Sequence, residues 1–235
     1  MSKELSRRGF LKAAVVLGAS LTMPRKEGET PELPLDVLPE NTATYALPPF
    51  GDNLEEIMGD GVFPALGYRH LQETVNVDYS LDGGHHIGVD FNFGDFDEDM
   101  GTPLGLIMNG VCVFVGDGDY RDLGKIAMFC HRLPDGTLIY TRYAHLDTWD
   151  AEVGTDYRAG KIIGTMGKSG WPNGFSHLHF DAGNRELFEG HWQEDPWWYP
   201  NKGPVSYINR FFVDPAELIQ TYLRRLKNSP HIPEE

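Results

Sequence analysis

Cysteine is nearly missing from this chain of 235 residues: only Cys112 and Cys130 occur, which excludes a disulfide-framed scaffold. Positive charge is also scarce, with 20 Lys and Arg against 35 Asp and Glu and a formal net charge of −15. That balance argues against nucleic acid as a partner and against electrostatic adhesion to anionic lipids or wall polymers. Residues 1–20 hold Lys3, Arg7, Arg8 and Lys12 against Glu4, so the rest of the chain is more acidic still. Long apolar runs are lacking. The run over residues 13–23 is about half the twenty or so residues a membrane-spanning helix needs, and no stable transmembrane span is predicted. No internal repeat is visible. The acidic cluster Asp95, Asp97, Glu98 and Asp99 lacks EF-hand spacing and its closing glutamate, so it reads as a solvated acidic loop and not a calcium loop.

Glycine and proline are plentiful, at 27 and 16, while 40% of the residues are hydrophobic. Many turns, short strands and one packed core follow, giving a mainly β prior. Residues 24–55 are rich in Pro, Glu and Thr and read as a linker or extended arm. Asp82-Gly83-Gly84 signals a turn, and strand patterns follow at 104–108, 111–115, 125–131, 137–144, 161–166 and 177–182. Leu133-Pro134-Asp135-Gly136 is a hairpin signal, because proline sets φ and glycine supplies the positive-φ position. The connections are too short for crossover helices, so the sheets are expected to be small and antiparallel. If 111–115 and 125–130 form a hairpin, Cys112 and Cys130 can share a sheet face and form one bridge, or both stay free and buried. After Gly183, Trp192, Trp197, Trp198, Tyr199 and Tyr207 predict an irregular aromatic segment packed back over the sheet. Asp214-Pro215-Ala216-Glu217 reads as N-cap, N1 proline and capping-box acid for a docking helix from Pro215 to about Lys227.

The chemistry centres on histidine. His177 and His179 stand two apart in a predicted strand, so both imidazoles project from one face with Cα atoms roughly 7 Å apart. One can ligate a metal while the other flanks the ion's open coordination position. His86 and Asp90 supply a neutral nitrogen and a hard oxygen, a pairing suited to zinc. Fully extended, residues four apart would be separated by ~13 Å, so the chain must curl between them, and Gly88 makes that curl cheap. A further histidine, His145, ends the predicted strand in Tyr143-Ala144-His145-Leu146.

Two resemblances rest on these residues. Ser6-Arg7-Arg8-Gly9-Phe10-Leu11-Lys12 and the apolar run after it resemble a twin-arginine export signal. That implies passage through the twin-arginine translocase, already folded, to the periplasm or cell exterior. Residues 65–185 resemble the LytM and lysostaphin-type zinc endopeptidases of bacterial cell walls. The matching elements are the H-x-G-x-D of His86, Gly88 and Asp90, the turn Gly101-Thr102-Pro103, the Y-A-H-L ending at Leu146, the glycine-rich 164–170, and His177-Leu178-His179-Phe180. Ser176 stands where proline often precedes the histidine pair, and Trp171-Pro172-Asn173 makes the loop before it bulkier. The resemblance implies a fold of small antiparallel sheets of the duplicated hybrid-motif type, with Zn2+ held by His86, Asp90 and His179 and with His145 and His177 as the catalytic pair. His85 breaks the family spacing to Asp90 and is expected either to support a ligand from behind or to play a loop role. His70, His131, His191 and His231 have no partner pattern and default to surface or structural positions.

The expected organisation is a twin-arginine signal at 1–23, an arm or linker at 24–62, a zinc peptidase domain at 63–185 and a C-terminal extension at 186–235. The expected function is zinc-dependent cleavage of peptide cross-links in peptidoglycan. Two alternatives keep the fold: an inactive LytM-like regulator of another wall hydrolase, and a periplasmic zinc peptidase acting on protein substrates. A metal-storage sheet would have no use for the two histidines outside the ligand set.

Overall fold

The computed structural model describes residues 86–91, 96–118, 123–170, 174–215 and 217–219, together with Pro39 and Thr221. The residues expected to form an export signal, those expected to form an arm apart from Pro39, and Asp82-Gly83-Gly84 lie outside the described residues. Among the described residues ten strands run β1 (Val89–Phe91), β2 (Pro103–Gly105), β3 (Gly110–Gly118), β4 (Gly124–Arg132), β5 (Leu138–Ala144), β6 (Thr148–Trp149), β7 (Asp156–Tyr157), β8 (Ile162–Thr165), β9 (Leu178–Asn184) and β10 (Phe212–Val213). Helix α1 (Arg185–Leu187), a π-helical turn (Phe188–Trp192) and helix α2 (Val205–Phe211) stand between β9 and β10.

Seven strands form one sheet in the order β1-β9-β5-β4-β3-β7, with β10 also pairing to β9, and β2-β8-β6 form a second. Every pairing is antiparallel. The hairpin from β4 to β5 closes as its turn residues dictate: Gly136 sits at φ 87°, Leu133 N–H donates to Thr137 O at 2.8 Å, and Thr137 N–H donates to the Asp135 carboxylate at 2.9 Å. The strand expected at 104–108 is shorter, because the register with β8 shifts after Leu104, and Leu106 continues the pairing irregularly through Lys161 O.

The large sheet is apolar on both faces, so its strands read as near-continuous hydrophobic runs. One face, with Val89, Phe129, Tyr143, Phe180 and Ala182, packs with Leu104, Ile163 and Met166 of the small-sheet region. The opposite face, with Ile126, Met128, Tyr140 and Ala144, is covered by Leu187, Phe188, Trp192, Ile208, Phe211 and Phe212. The C-terminal segment is therefore a layer of the core, ordered by short helices and β10 as well as irregular chain. At its end the Asp214 side chain accepts the Glu217 N–H at 3.1 Å, the cap expected from the sequence, and Leu218 and Ile219 are buried.

The two cysteines do not share a face. Cys112 is opposite Phe129 and Cys130 is opposite Val111, so alternation sends Cys112 into the first core and Cys130 into the second. A bridge is ruled out by that parity, and both thiols are free and buried.

His131 is a structural histidine. Its Nδ1–H donates to Asn109 O at 3.1 Å, and its Nε2 accepts from the Thr141 hydroxyl at 2.8 Å. Burial disfavours its charged form and lowers its pKa to about 4, despite backbone hydrogen bonds that work the other way. The unfolded chain takes up this proton near pH ~6.5, so the contribution is full above that pH and drains away as pH falls toward about 4. Chemical denaturation between pH 7 and pH 4 should show up to about 3 kcal/mol of lost stability from this residue. The acid slope should flatten in His131→Gln, and an unchanged slope would assign the loss elsewhere.

Candidate metal centre and flanking histidines

β9 lies between β1 and β5, and this adjacency gathers residues distant in sequence. Asp90 pairs with His179 across β1 and β9, while Ala144, the residue before His145, pairs with His179 across β5 and β9. His86 precedes β1 and reaches the same point because the chain turns at Gly88, whose φ is +124°. That turn also runs tight against β9. A Cβ at Gly88 would lie 2.7 Å from Phe180 O and 3.1 Å from His179 Cε1.

Three donor atoms converge. His86 Nε2 is 3.1 Å from Asp90 Oδ1 and 3.1 Å from His179 Nδ1, and His179 Nδ1 is 2.9 Å from Asp90 Oδ1. Two imidazole nitrogens and a carboxylate oxygen in one triangle could hold a metal ion, and their chemistry suits zinc. Tetrahedral zinc with bonds of about 2.0–2.2 Å spaces its ligand atoms about 3.3 Å apart, so the triangle fits after opening by a few tenths of an ångström. Electrostatics agree. Burial would raise the Asp90 carboxyl, but the charge of His86 and hydrogen bonds from His179 and His86 outweigh it and hold Asp90 well below the usual range. Burial would lower His179, but the Asp181 and Asp90 carboxylates outweigh it and push it up to about 9. The pocket thus favours positive charge at the centre of the triangle. It reaches solvent only narrowly, with the His86 and Asp90 side chains 10% and 13% exposed.

His145 and His177 stand beside this triangle, with ring centroids 4.5 Å apart, and His145 lies 6.0 Å from His179. Each is held through Nδ1: His145 donates to Ser169 O at 2.8 Å and His177 to Phe175 O at 2.9 Å. This fixes the tautomer, so each ring carries its lone pair on Nε2. His177 Nε2 is 4.0 Å from Asp90 Oδ2. Burial, then the proximity of His177 and His179, lowers His145 to about 3. His145 also holds a positive φ of 59°, unusual for a residue with a side chain, and such backbone concentrates at functional sites.

The acidic loop is exposed at Asp97 and Glu98, as expected of a solvated segment, but Asp99 is buried. Asp97 accepts the Ser176 N–H at 2.9 Å and pairs with Lys168 Nζ at 2.5 Å, while fully buried Asp99 accepts the Ser176 hydroxyl. The loop latches the residue before His177. A proline there could not make the Asp97 contact, so the serine and the two aspartates work together. Sequence reasoning also missed Asp181 and Arg142. Asp181 continues the period-two series 177, 179, 181, and Arg142 is a charge inside an otherwise apolar central strand, so both left a signal.

The chain also matches known proteins in sequence. Residues 84–189 match the family model Peptidase family M23. The glycyl-glycine endopeptidase ALE-1 of Staphylococcus capitis is 30% identical over 116 residues, which cover 49% of this chain and 29% of that protein. Lysostaphin of Staphylococcus simulans is 32% identical over 100 residues, covering 43% of this chain and 18% of its own. The matches therefore span less than a third of the length of these relatives. The solved catalytic domain of Staphylococcus simulans lysostaphin superposes with a TM-score of 0.41 at 27% identity, covering 60% of this chain and 84% of that one. The match over residues 84–189 supports a domain of Peptidase family M23 there, of the lysostaphin and LytM type, in a chain that continues beyond it on both sides.

Proposed function

We propose that this chain is a zinc-dependent endopeptidase that hydrolyses peptide cross-links of bacterial peptidoglycan. The observation that carries the reading is the triangle of His86, Asp90 and His179 with two Nδ1-anchored histidines beside it. Zn2+ would be held by His86 Nε2, an Asp90 oxygen and His179 Nδ1, and when bound it polarises a carbonyl and makes water more acidic. The protein's own groups do the rest. Nε2 of neutral His145 takes a proton from the attacking water and returns it to the leaving amine. His177, as the other half of the pair, keeps its Nδ1–H on Phe175 O and donates from Nε2 to the oxygen on which negative charge develops once that nitrogen has taken up a proton. A regulator without activity has no need of all five side chains, and each is present.

The substrate class is supported by the relatives, one of which bears the name of a glycyl-glycine endopeptidase. Residues 6–12 support export by the twin-arginine translocase and action in the periplasm or at the cell exterior. On this reading residues 1–23 are the signal, 24–62 an arm, 63–185 the peptidase domain and 186–235 its extension. Purified sacculi incubated with the zinc-loaded protein should release peptides shortened at a cross-link, seen by mass analysis, and a chelator should abolish release until zinc is restored. Intact sacculi alongside cleaved unfolded protein would move the reading to a protein-directed peptidase, and no cleavage of either would leave the regulator.

A further inference from the structure

We infer that Asp181 is a positioning residue for His179, and that residues 192–199, beyond the family match, complete its setting through Arg142 and Tyr199. The inference rests on the reading of His86, Asp90 and His179 as metal ligands. His179 presents Nδ1 to Asp90 and His86, and its other nitrogen, Nε2, is buried without a hydrogen-bond partner at normal length. Asp181 Oδ2 stands 3.5 Å from it, a short closure away from a hydrogen bond. A carboxylate behind a ligand histidine fixes the ring's orientation and strengthens it as a donor.

Asp181 is fully buried, and a buried carboxylate is costly unless paired. Its partner is directly across on β5: Arg142 Nε donates to Oδ1 at 3.1 Å, and Nη2 donates to Oδ2. The fork is thereby spent on Asp181, leaving Nη1 to be satisfied elsewhere. It donates to Pro196 O at 2.8 Å and Trp198 O at 3.1 Å, and the guanidinium lies 4.5 Å from the Trp192 ring centre. From the same segment, the Tyr199 hydroxyl accepts the Ile87 N–H at 2.6 Å, and its ring meets the edge of His179 with centroids 5.6 Å apart. One stretch of chain thus holds the backbone next to His86 and the counter-ion of the group behind His179. An ordinary structural ion pair would account for Arg142 and Asp181 alone. It would not account for the contacts of Asp181 and Tyr199 with His179.

The test measures zinc affinity of the full chain by chelator competition, together with the visible spectrum of the cobalt-substituted protein and the melting temperature without metal. Asp181→Asn should bind zinc roughly 10–100-fold more weakly and shift the cobalt bands, and Tyr199→Phe, which keeps the ring, should weaken binding about tenfold. Affinities within about threefold of the parent and unchanged cobalt spectra, even with lower melting temperatures, would overturn the inference and leave a purely structural pair. Should Asp181→Asn fail to fold, Tyr199→Phe alone decides between these results. A parent chain that takes up neither metal overturns the ligand reading itself, and the inference with it.

Discussion

His86→Ala and His179→Ala should each strip the protein of zinc, whereas His145→Ala and His177→Ala should keep about one zinc per chain yet lose roughly two to four orders of magnitude in turnover. The division follows from which nitrogens face which neighbours. His86 Nε2 and His179 Nδ1 point into the triangle with Asp90, and removing either leaves two donors where zinc needs three. His145 and His177 are tied by Nδ1 to backbone carbonyls of Ser169 and Phe175, not to the triangle, so their loss leaves the donor set whole. Elemental analysis and turnover of the four purified variants check this. Zinc lost from His177→Ala but kept in His179→Ala would reverse the assignment. Normal turnover in His145→Ala would remove that residue from the mechanism.

Gly88→Ala should damage both the fold and the metal site with a single added methyl group. Its φ of +124° is a region that residues with a Cβ avoid, and the new carbon would sit 2.7 Å from Phe180 O and 3.0 Å from Asp181 Cβ. Neither neighbour can step aside, since both belong to a strand paired on its other edge with β5. Backbone strain and overpacking together should cost about 3 kcal/mol, which lowers the melting temperature by roughly 10 °C in a domain of this size. Zinc affinity should fall too, because the curl that brings His86 to Asp90 is forced open. Calorimetry on metal-free protein and chelator competition read the two effects separately, and a variant with parental values for both would show that the curl is softer than described.

Much of the fold was legible because local rules act alone there. Pro134 and Gly136 make a hairpin without help from the rest of the chain, and Asp214 caps its helix within four residues. His177 and His179 share a face by strand alternation, which needs only the strand to be recognised. What stayed hidden depends on pairing between distant segments. Whether Cys112 and Cys130 meet is decided by a register and a shift between Cys112 and Phe114 that leave no mark in composition. The hold of Asp97 and buried Asp99 on Ser176 stayed hidden because Ser176 is about eighty positions away. Arg142 carries a visible warning as a charge in an apolar strand, but its partners Pro196 and Trp198 belong to a segment whose docking only the assembled sheet defines.

The separation of the two cysteines has a practical consequence for anyone wishing to watch this protein work. Burial pushes the Cys112 thiol up to about 12 and the Cys130 thiol up to about 11, so almost no thiolate exists at neutral pH, and neither sulfur meets the surface. Maleimide and iodoacetamide reagents attack thiolates and should pass both by in the folded chain. A single new cysteine at an exposed position with ordinary backbone, such as Glu152 or Glu194, could then carry a fluorophore or spin label with the native pair left in place, and any labelling of the parent would itself report unfolding.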